Sequence, residues 1–144
     1  MNVIERKAIV PYTDAQMFAL VDDIEHYPDF LPWCHSASIH DRGTDYVEAS
    51  IEVSGMGMQK SFSTRNQLIP HTAIELTLVD GPFEYLKGQW AFRSLGEEGC
   101  EVSLHLEYTL KGGWSMLAFG PMFSHVVGSL VDAFSQRAHE VYGR

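Results

Sequence analysis

The side chains that could carry acid–base, metal or nucleophilic chemistry are present in this chain, but their spacing assembles no such site. Seven histidines, His26, His35, His40, His71, His105, His125 and His139, occur without an HxH or HExxH pattern and without a Cys/His cluster. Those are the arrangements that bring several ligands to one metal ion, so no metal site is expected. His105 falls on the polar parity of an alternating run, beside Glu107, where a solvated imidazole is the simpler reading. Cys34 and Cys100 stand far apart with no CxxC, and both are read as free thiols. There is no GxSxG elbow to expose a serine nucleophile. Gly55-Met56-Gly57 lies between two strand-like runs, where glycine serves a hairpin turn better than a phosphate cradle. The carboxylate pairs Asp22-Asp23 and Glu97-Glu98 fall at helix-surface or loop positions and read as solvated charge. No catalytic residue is expected. What remains is apolar: three Trp, six Tyr, eight Phe and six Met in a chain of 144 residues. That inventory suits the holding of a greasy molecule.

The elements that would position these side chains follow from hydrophobic period. Val3 to Val10 reads as a strand stopped by Pro11, and Thr13 or Asp14 supplies an N-cap oxygen for a helix carrying Met17, Leu20, Val21 and Ile24 on one face. Tyr27-Pro28-Asp29-Phe30-Leu31-Pro32-Trp33 cannot continue that helix regularly, because its two prolines remove donors and bias their predecessors to extended geometry. A compact aromatic turn or short helix is expected there. From Ser36 to about Lys111 the period changes to two, and turn residues at Asp41-Arg42-Gly43, Gly55-Met56-Gly57, Pro70-His71, Asp80-Gly81-Pro82 and Gly96-Glu97-Glu98-Gly99 mark out six strands. Val47, Ala49, Ile51 and Val53 alternate with polar residues, as do Val102, Leu104, Leu106, Tyr108 and Leu110, so each strand has one dry face. Short turns predict an antiparallel meander, about seven strands with the N-terminal one.

The dry face needs a cover, and Phe123, Val127, Leu130, Phe134, Ala138 and Val141 form the stripe of a long C-terminal helix. The class is therefore α+β, one domain over residues 1–144, with a curved sheet packed on a long helix. Apolar residues on the inner parity become candidates to line a cavity: Phe62, Ile74, Leu76, Leu78, Trp90, Phe92, Leu104, Leu106, Tyr108, Phe123, Val127 and Leu130. Upstream of the stripe, Trp114 to Met122 is apolar on nearly every side. Either it is deep core with a kink at Gly120-Pro121, or part of it faces a ligand, a partner or a membrane surface. On the second reading Trp114, Leu117, Phe119 and Met122, with Trp33, edge the mouth of the cavity.

The net charge of −9 gives no electrostatic drive toward nucleic-acid phosphate, so DNA is not an expected partner. Lys60, Arg65, Lys87 and Arg93 would form a local basic patch only if their strands adjoin; pairing with nearby carboxylates is the simpler expectation. No run approaches the length of a membrane span, and Met1 to Lys7 lacks the apolar segment of a secretory signal. A cytoplasmic location is expected, with transient contact at the inner membrane if the Trp114–Met122 segment is exposed.

Several stretches carry a resemblance spanning essentially the whole chain. They are Val10-Pro11-Tyr12, His26-Tyr27-Pro28-Asp29-Phe30-Leu31-Pro32-Trp33-Cys34, Phe62-Ser63-Thr64-Arg65-Asn66, and above all the run from Asp80-Gly81-Pro82-Phe83 to Trp90-Ala91-Phe92. With the ending Ala133-Phe134, Arg137-Ala138 and Glu140-Val141-Tyr142, these are similar to the RatA-type ribosome-association toxins and the mitochondrial coenzyme Q-binding START-domain proteins. The resemblance implies the helix-grip fold of START and Bet v 1-like domains. It implies, first, non-catalytic binding of ubiquinone or a related isoprenoid lipid in support of respiration. The alternative it implies is the toxin of a toxin–antitoxin pair, which binds the large ribosomal subunit and blocks subunit association. Because related folds include polyketide cyclases and dehydratases, a third expectation is an enzyme, whose polar groups would come from Tyr12, Arg65, Asn66, Tyr85 and Tyr108.

Overall fold

In the computed structural model, which describes residues 1–55, 57–113 and 117–143, the changes of hydrophobic period coincide with element boundaries. Strand β1 (Asn2–Val10) ends before Pro11, and helix α1 (Asp14–Asp22) follows. Thr13 caps it: its hydroxyl accepts from the Gln16 amide at 3.0 Å while Gln16 Oε1 accepts from the Thr13 amide at 2.9 Å. This capping box satisfies two donors that the first turn leaves unspent. The apolar stripe runs past the helix, for Ile24 opens a short 3-10 helix (Ile24–Asp29) that accommodates Pro28. Asp22 and Asp23 are not merely solvated: Arg42 reaches Asp22 at 3.2 Å, and His26 reaches Asp23 at 2.8 Å.

Six strands follow: β2 (Cys34–Arg42), β3 (Tyr46–Gly55), β4 (Met58–Ile69), β5 (Ala73–Asp80), β6 (Phe83–Ser94) and β7 (Cys100–Leu110). They form an antiparallel, curved sheet in the order β1-β7-β6-β5-β4-β3-β2. Consecutive strands are neighbours except at one edge, where β1 joins β7 with Val10 opposite Cys100 and Asn2 opposite Tyr108. On β6, Gly88 sits on the inner face where a Cβ would come within 2.5 Å of Leu106 Cδ1, so the Leu106 side chain lies over the glycine in space a side chain would otherwise take.

Helix α2 (Phe119–Tyr142) crosses the inner face and buries Phe119, Met122, Phe123, Val126, Val127, Val131, Phe134 and Ala138. It packs on β1, β7 and α1. Tyr142 donates to the Gln16 carbonyl at 2.9 Å and Tyr12 to that of Gly143 at 2.6 Å, which ties its C-terminal end down. Two expectations need correction. Gly120-Pro121 makes no mid-helix kink, because α2 starts at Phe119 and places the proline in the first turn, where backbone donors have no helical partner to lose. Val141 is 48% exposed and lies outside the buried stripe, which ends at Ala138.

Candidate functional site

Between α2 and the sheet, side chains leave a cavity of about 90 Å³. Its origin can be read from the helix. Phe123 and Phe134 stand three turns apart on one face, and each heads an aromatic cluster. Phe123 packs against Phe62, Phe83, Tyr108 and Phe119 with centroids 4.9–6.0 Å apart. Phe134 packs against Tyr27, Phe30 and Trp90 at 5.3–5.4 Å. Between these two bulky ends α2 presents only Val126, Val127 and Leu130, and the facing wall includes the small Ala49 and Thr64. The clusters hold helix and sheet apart, and the shorter side chains between them do not fill the gap.

Of the residues the sequence placed in a cavity, Phe62, Leu76, Trp90, Leu104, Leu106, Phe123, Val127 and Leu130 line it, and Trp33 stands at its wall. The others are placed elsewhere. Ile74 is buried in the core away from the cavity. Leu78 is half-buried opposite Thr64, at the last regular pair before the register shift between Thr64 and Ser63. Phe92 packs edge-on to Phe18 of α1 at 5.8 Å, and Tyr108 is consumed by the Phe83–Phe123 cluster. Phe119 and Met122, expected at a mouth, are core residues: Phe119 stacks on Phe123 at 5.6 Å, and Met122 Sδ would lie 3.0 Å from a Cβ on Gly55. Leu117 is 75% exposed and is not among the residues that line the cavity, and Trp114 lies outside the described residues.

Asn66 was named above only among the polar groups of an enzyme; sequence reasoning missed Ile24, Tyr27, Ala49, Ile51, Val53, Thr64, Leu86, Val126 and Phe134 as lining residues. For most the signal was present. Ala49, Ile51 and Val53 share the dry parity of β3, and Thr64 and Asn66 follow Phe62 at two-residue steps on β4. Ile24 and Tyr27 come from the 3-10 helix: Ile24 continues the apolar stripe of α1, and Tyr27 is announced by no simple period.

The wall carries no carboxylate, imidazole, ammonium or guanidinium group. Its single titratable side chain, Tyr27, donates its hydroxyl to the Val21 carbonyl, and burial pushes its pKa upward. Of the five polar residues an enzyme would need, only Asn66 lines the cavity. Tyr12 is spent on Gly143, Tyr85 is exposed, and Arg65 lies on the outer face, 4.0 Å over the Tyr46 ring and 3.5 Å from Glu48. Both cysteines are free and buried, and burial pushes each thiol to about 11, so neither is a thiolate at neutral pH. Among the described residues no group of three His, Cys, Asp or Glu is placed to hold a metal ion.

The four candidate cations form no patch. Strand β5 separates β4, which carries Lys60 and Arg65, from β6, which carries Lys87 and Arg93. Arg93 pairs with Glu101 at 3.1 Å, and Lys87 stands opposite Glu107. Among the described residues no helix is long and apolar enough to cross a membrane.

Comparison with known proteins agrees with this geometry. Residues 10–135 match the family described as polyketide cyclase / dehydrase and lipid transport. The protein named ribosome association toxin RatA of Vibrio cholerae is 41% identical over 143 residues, covering 99% of each chain. The mitochondrial coenzyme Q-binding protein COQ10 of Drosophila melanogaster is 26% identical over 142 residues, covering 96% of this chain and 59% of that one. Among solved structures, the Zhui aromatase/cyclase of a Streptomyces species superposes with a TM-score of 0.83 at 17% identity, over 96% of this chain and 93% of that one. A START superfamily protein of Mycobacterium smegmatis does so at 0.77 and 18%, over 96% and 98%. At such identities these two show the fold, the START and Bet v 1-like helix grip, and not an activity. Matched by the family model along most of its length and by a full-length relative at 41% identity, the chain belongs to the polyketide cyclase / dehydrase and lipid transport family, beside the proteins named ribosome association toxin RatA.

Proposed function

We propose that the chain is a non-catalytic binding protein whose cavity receives the leading end of a hydrophobic molecule, with ubiquinone or a related isoprenoid lipid as the ligand and respiration as the process it supports. The observation that carries this reading is the cavity itself, walled chiefly by apolar side chains and without a carboxylate, imidazole, ammonium or guanidinium group. Apolar burial at about 25 cal/mol per Å² then supplies the affinity. The name of the Drosophila relative supports the choice of ligand. At about 90 Å³ the cavity is well below the roughly 300–1,000 Å³ of sites for drug-sized molecules, so a quinone ring enters only if the wall yields. The yielding side is β3–β4, which meets α2 chiefly through long side chains such as Met122 at Gly55 and Phe123 at Phe62. The test is extraction of the purified chain with organic solvent followed by mass spectrometry. Quinone or isoprenoid lipid above the level carried by an unrelated protein of similar size is the expected result, and its absence removes the reading.

A second reading is favoured by the 41% identity with the RatA protein: action in the cytoplasm on ribosome association through the large subunit. Its contact surface would not be a general basic face, given the net charge of −9 and the pairing of Arg65 and Arg93 with carboxylates. Sedimentation profiles of ribosomes with added protein test it. Accumulation of separated subunits is expected, and unchanged profiles at stoichiometric excess end it. The two readings are compatible, since the cavity and the outer face are different surfaces.

A further inference from the structure

Within the apolar wall stand two polar side chains, Thr64 and Asn66, and these are the buried polar residues of the described chain, 8% and 6% exposed. Both point inward from β4. Asn66 stands opposite Val47 of β3 and Leu76 of β5, and Thr64 opposite Ala49 and Leu78, so apolar residues flank the pair on both sides. The Thr64 hydroxyl donates to Asn66 Oδ1 at 2.8 Å. That bond spends the only donor of Thr64 and fixes which end of the Asn66 amide is the oxygen. The two N–H groups of the Asn66 amide have no partner among the described residues, yet no buried side-chain nitrogen or oxygen there is both sealed off and unpaired. The Asn66 nitrogen is therefore open to the cavity. An unpartnered amide in an apolar wall is costly, and a leucine on the same face would serve packing better.

We infer that Asn66 is the polar anchor of the cavity, its amide donating to a hydrogen-bond-accepting oxygen, a carbonyl above all, on the leading end of the ligand. Thr64 is a positioning residue: by holding Oδ1 it leaves the N–H end of the amide for the ligand. This inference rests on the reading of the cavity as a ligand site and adds an orientation and a chemical preference to it. The oxygen-bearing head goes in first, and the apolar remainder leads out past the half-buried Trp33, Ile51 and Leu130. A ligand with an acceptor at its head is preferred over one that is purely hydrocarbon.

The experiment compares two probes of similar shape, a benzoquinone carrying a pentyl tail and pentylbenzene. Each is titrated into the full chain and followed by ¹H–¹⁵N NMR, which reports both backbone and the Asn66 side-chain NH₂ signals. The wild type is expected to bind the quinone at least about fivefold more tightly than pentylbenzene, the usual worth of one net hydrogen bond, and only the quinone shifts the Asn66 NH₂ signals through bonding. In Asn66→Leu the preference vanishes while pentylbenzene affinity stays within about twofold, which also shows that the cavity has kept its shape. Thr64→Val, nearly isosteric, should lower the preference without changing pentylbenzene binding, and it carries the test should the leucine variant unfold. Undiminished preference in both variants overturns the anchor, as does equal affinity of the wild type for both probes. Failure of the wild type to bind either probe is a distinct result, which overturns the ligand site and the anchor together.

Discussion

Replacing Ala49 by leucine asks whether the space between α2 and β3 is real. Ala49 is 3% exposed, lines the cavity and lies opposite Thr64 in register. Leucine adds three carbons directed at unfilled volume. Cavity volume costs about 24 cal/mol per Å³, so closing all of the roughly 90 Å³ is worth at most about 2 kcal/mol. Imperfect fit takes back part of this, since forcing a side chain into a packed wall costs about 1–3 kcal/mol. The expected outcome is a net gain of about 1 kcal/mol, seen as an upward shift of about 4 °C in a thermal melt followed by circular dichroism. Urea unfolding should show a raised midpoint with an unchanged slope. In the same variant, hydrophobic ligand recovered by organic extraction should fall, because the filled cavity competes with it. Stabilisation and loss of ligand should thus appear together. If Ala49→Leu and the independent Val126→Ile both lowered the urea midpoint, there would be no spare volume between helix and sheet, and the reasoning would fail.

Other substitutions probe the frame. Phe123→Ala removes the ring shared by Phe62, Phe83, Tyr108 and Phe119 and should cost about 3–5 kcal/mol in urea unfolding; a cost under 1 kcal/mol would mean that this cluster does not hold α2. Gly99 has φ +118°, and a Cβ there would lie 1.9 Å from the Val10 carbonyl oxygen, so Gly99→Ala should destabilise by about 2 kcal/mol or more and loosen the β1–β7 edge, read as faster amide exchange in β1. His105 is bracketed on the outer face, with Nε2 2.9 Å from Glu107 and Nδ1 2.8 Å from Glu5. Hydrogen bonds to Glu107 and then Glu5 raise its pKa above 6.5. A raised folded-state pKa stabilises fully below the unfolded value and ceases to do so as pH climbs through the folded one. The urea midpoint of the wild type should therefore exceed that of His105→Gln most at pH 6, the gap closing toward pH 9 and shrinking in salt; a gap that widened with pH would contradict the assignment.

The parts of this structure that were legible beforehand are those in which local chemistry and tertiary packing agree. An N-cap at Thr13 or Asp14 was marked by a polar residue before an apolar stripe, and the alternation of Val47 to Val53 or Val102 to Leu110 follows from a sheet with one dry face. Parity tells which face a residue takes. It does not tell which stretch of that face lies under the helix, so Phe92, on the correct parity, belongs to the α1 contact, and Tyr108 belongs to the cluster at the start of α2. The apolar run before the helix was ambiguous for a related reason. Phe119 and Met122 go inward and Leu117 outward, a division set by where α2 begins and not by composition. Asn66 was visible as a polar residue on an apolar parity, but its meaning depends on the Thr64 bond, which only the pleat of β4 brings about.

The edge pairing of β1 with β7 bears on the order in which the molecule can assemble. Strands β2 to β7 can pair one after another as hairpins, each with a neighbour just made. Strand β1 is made before the rest of the sheet yet finds its partner only when Cys100 to Tyr108 has been synthesised, and α2 comes later still. Such distant pairing slows folding and leaves an unpaired edge exposed during synthesis. The cavity, whose wall includes Val126, Val127 and Leu130 of α2, therefore cannot form before that helix has been made. Any ligand of the cavity can enter only after that point, and the supply of competent molecules is set by the closing of that last seam.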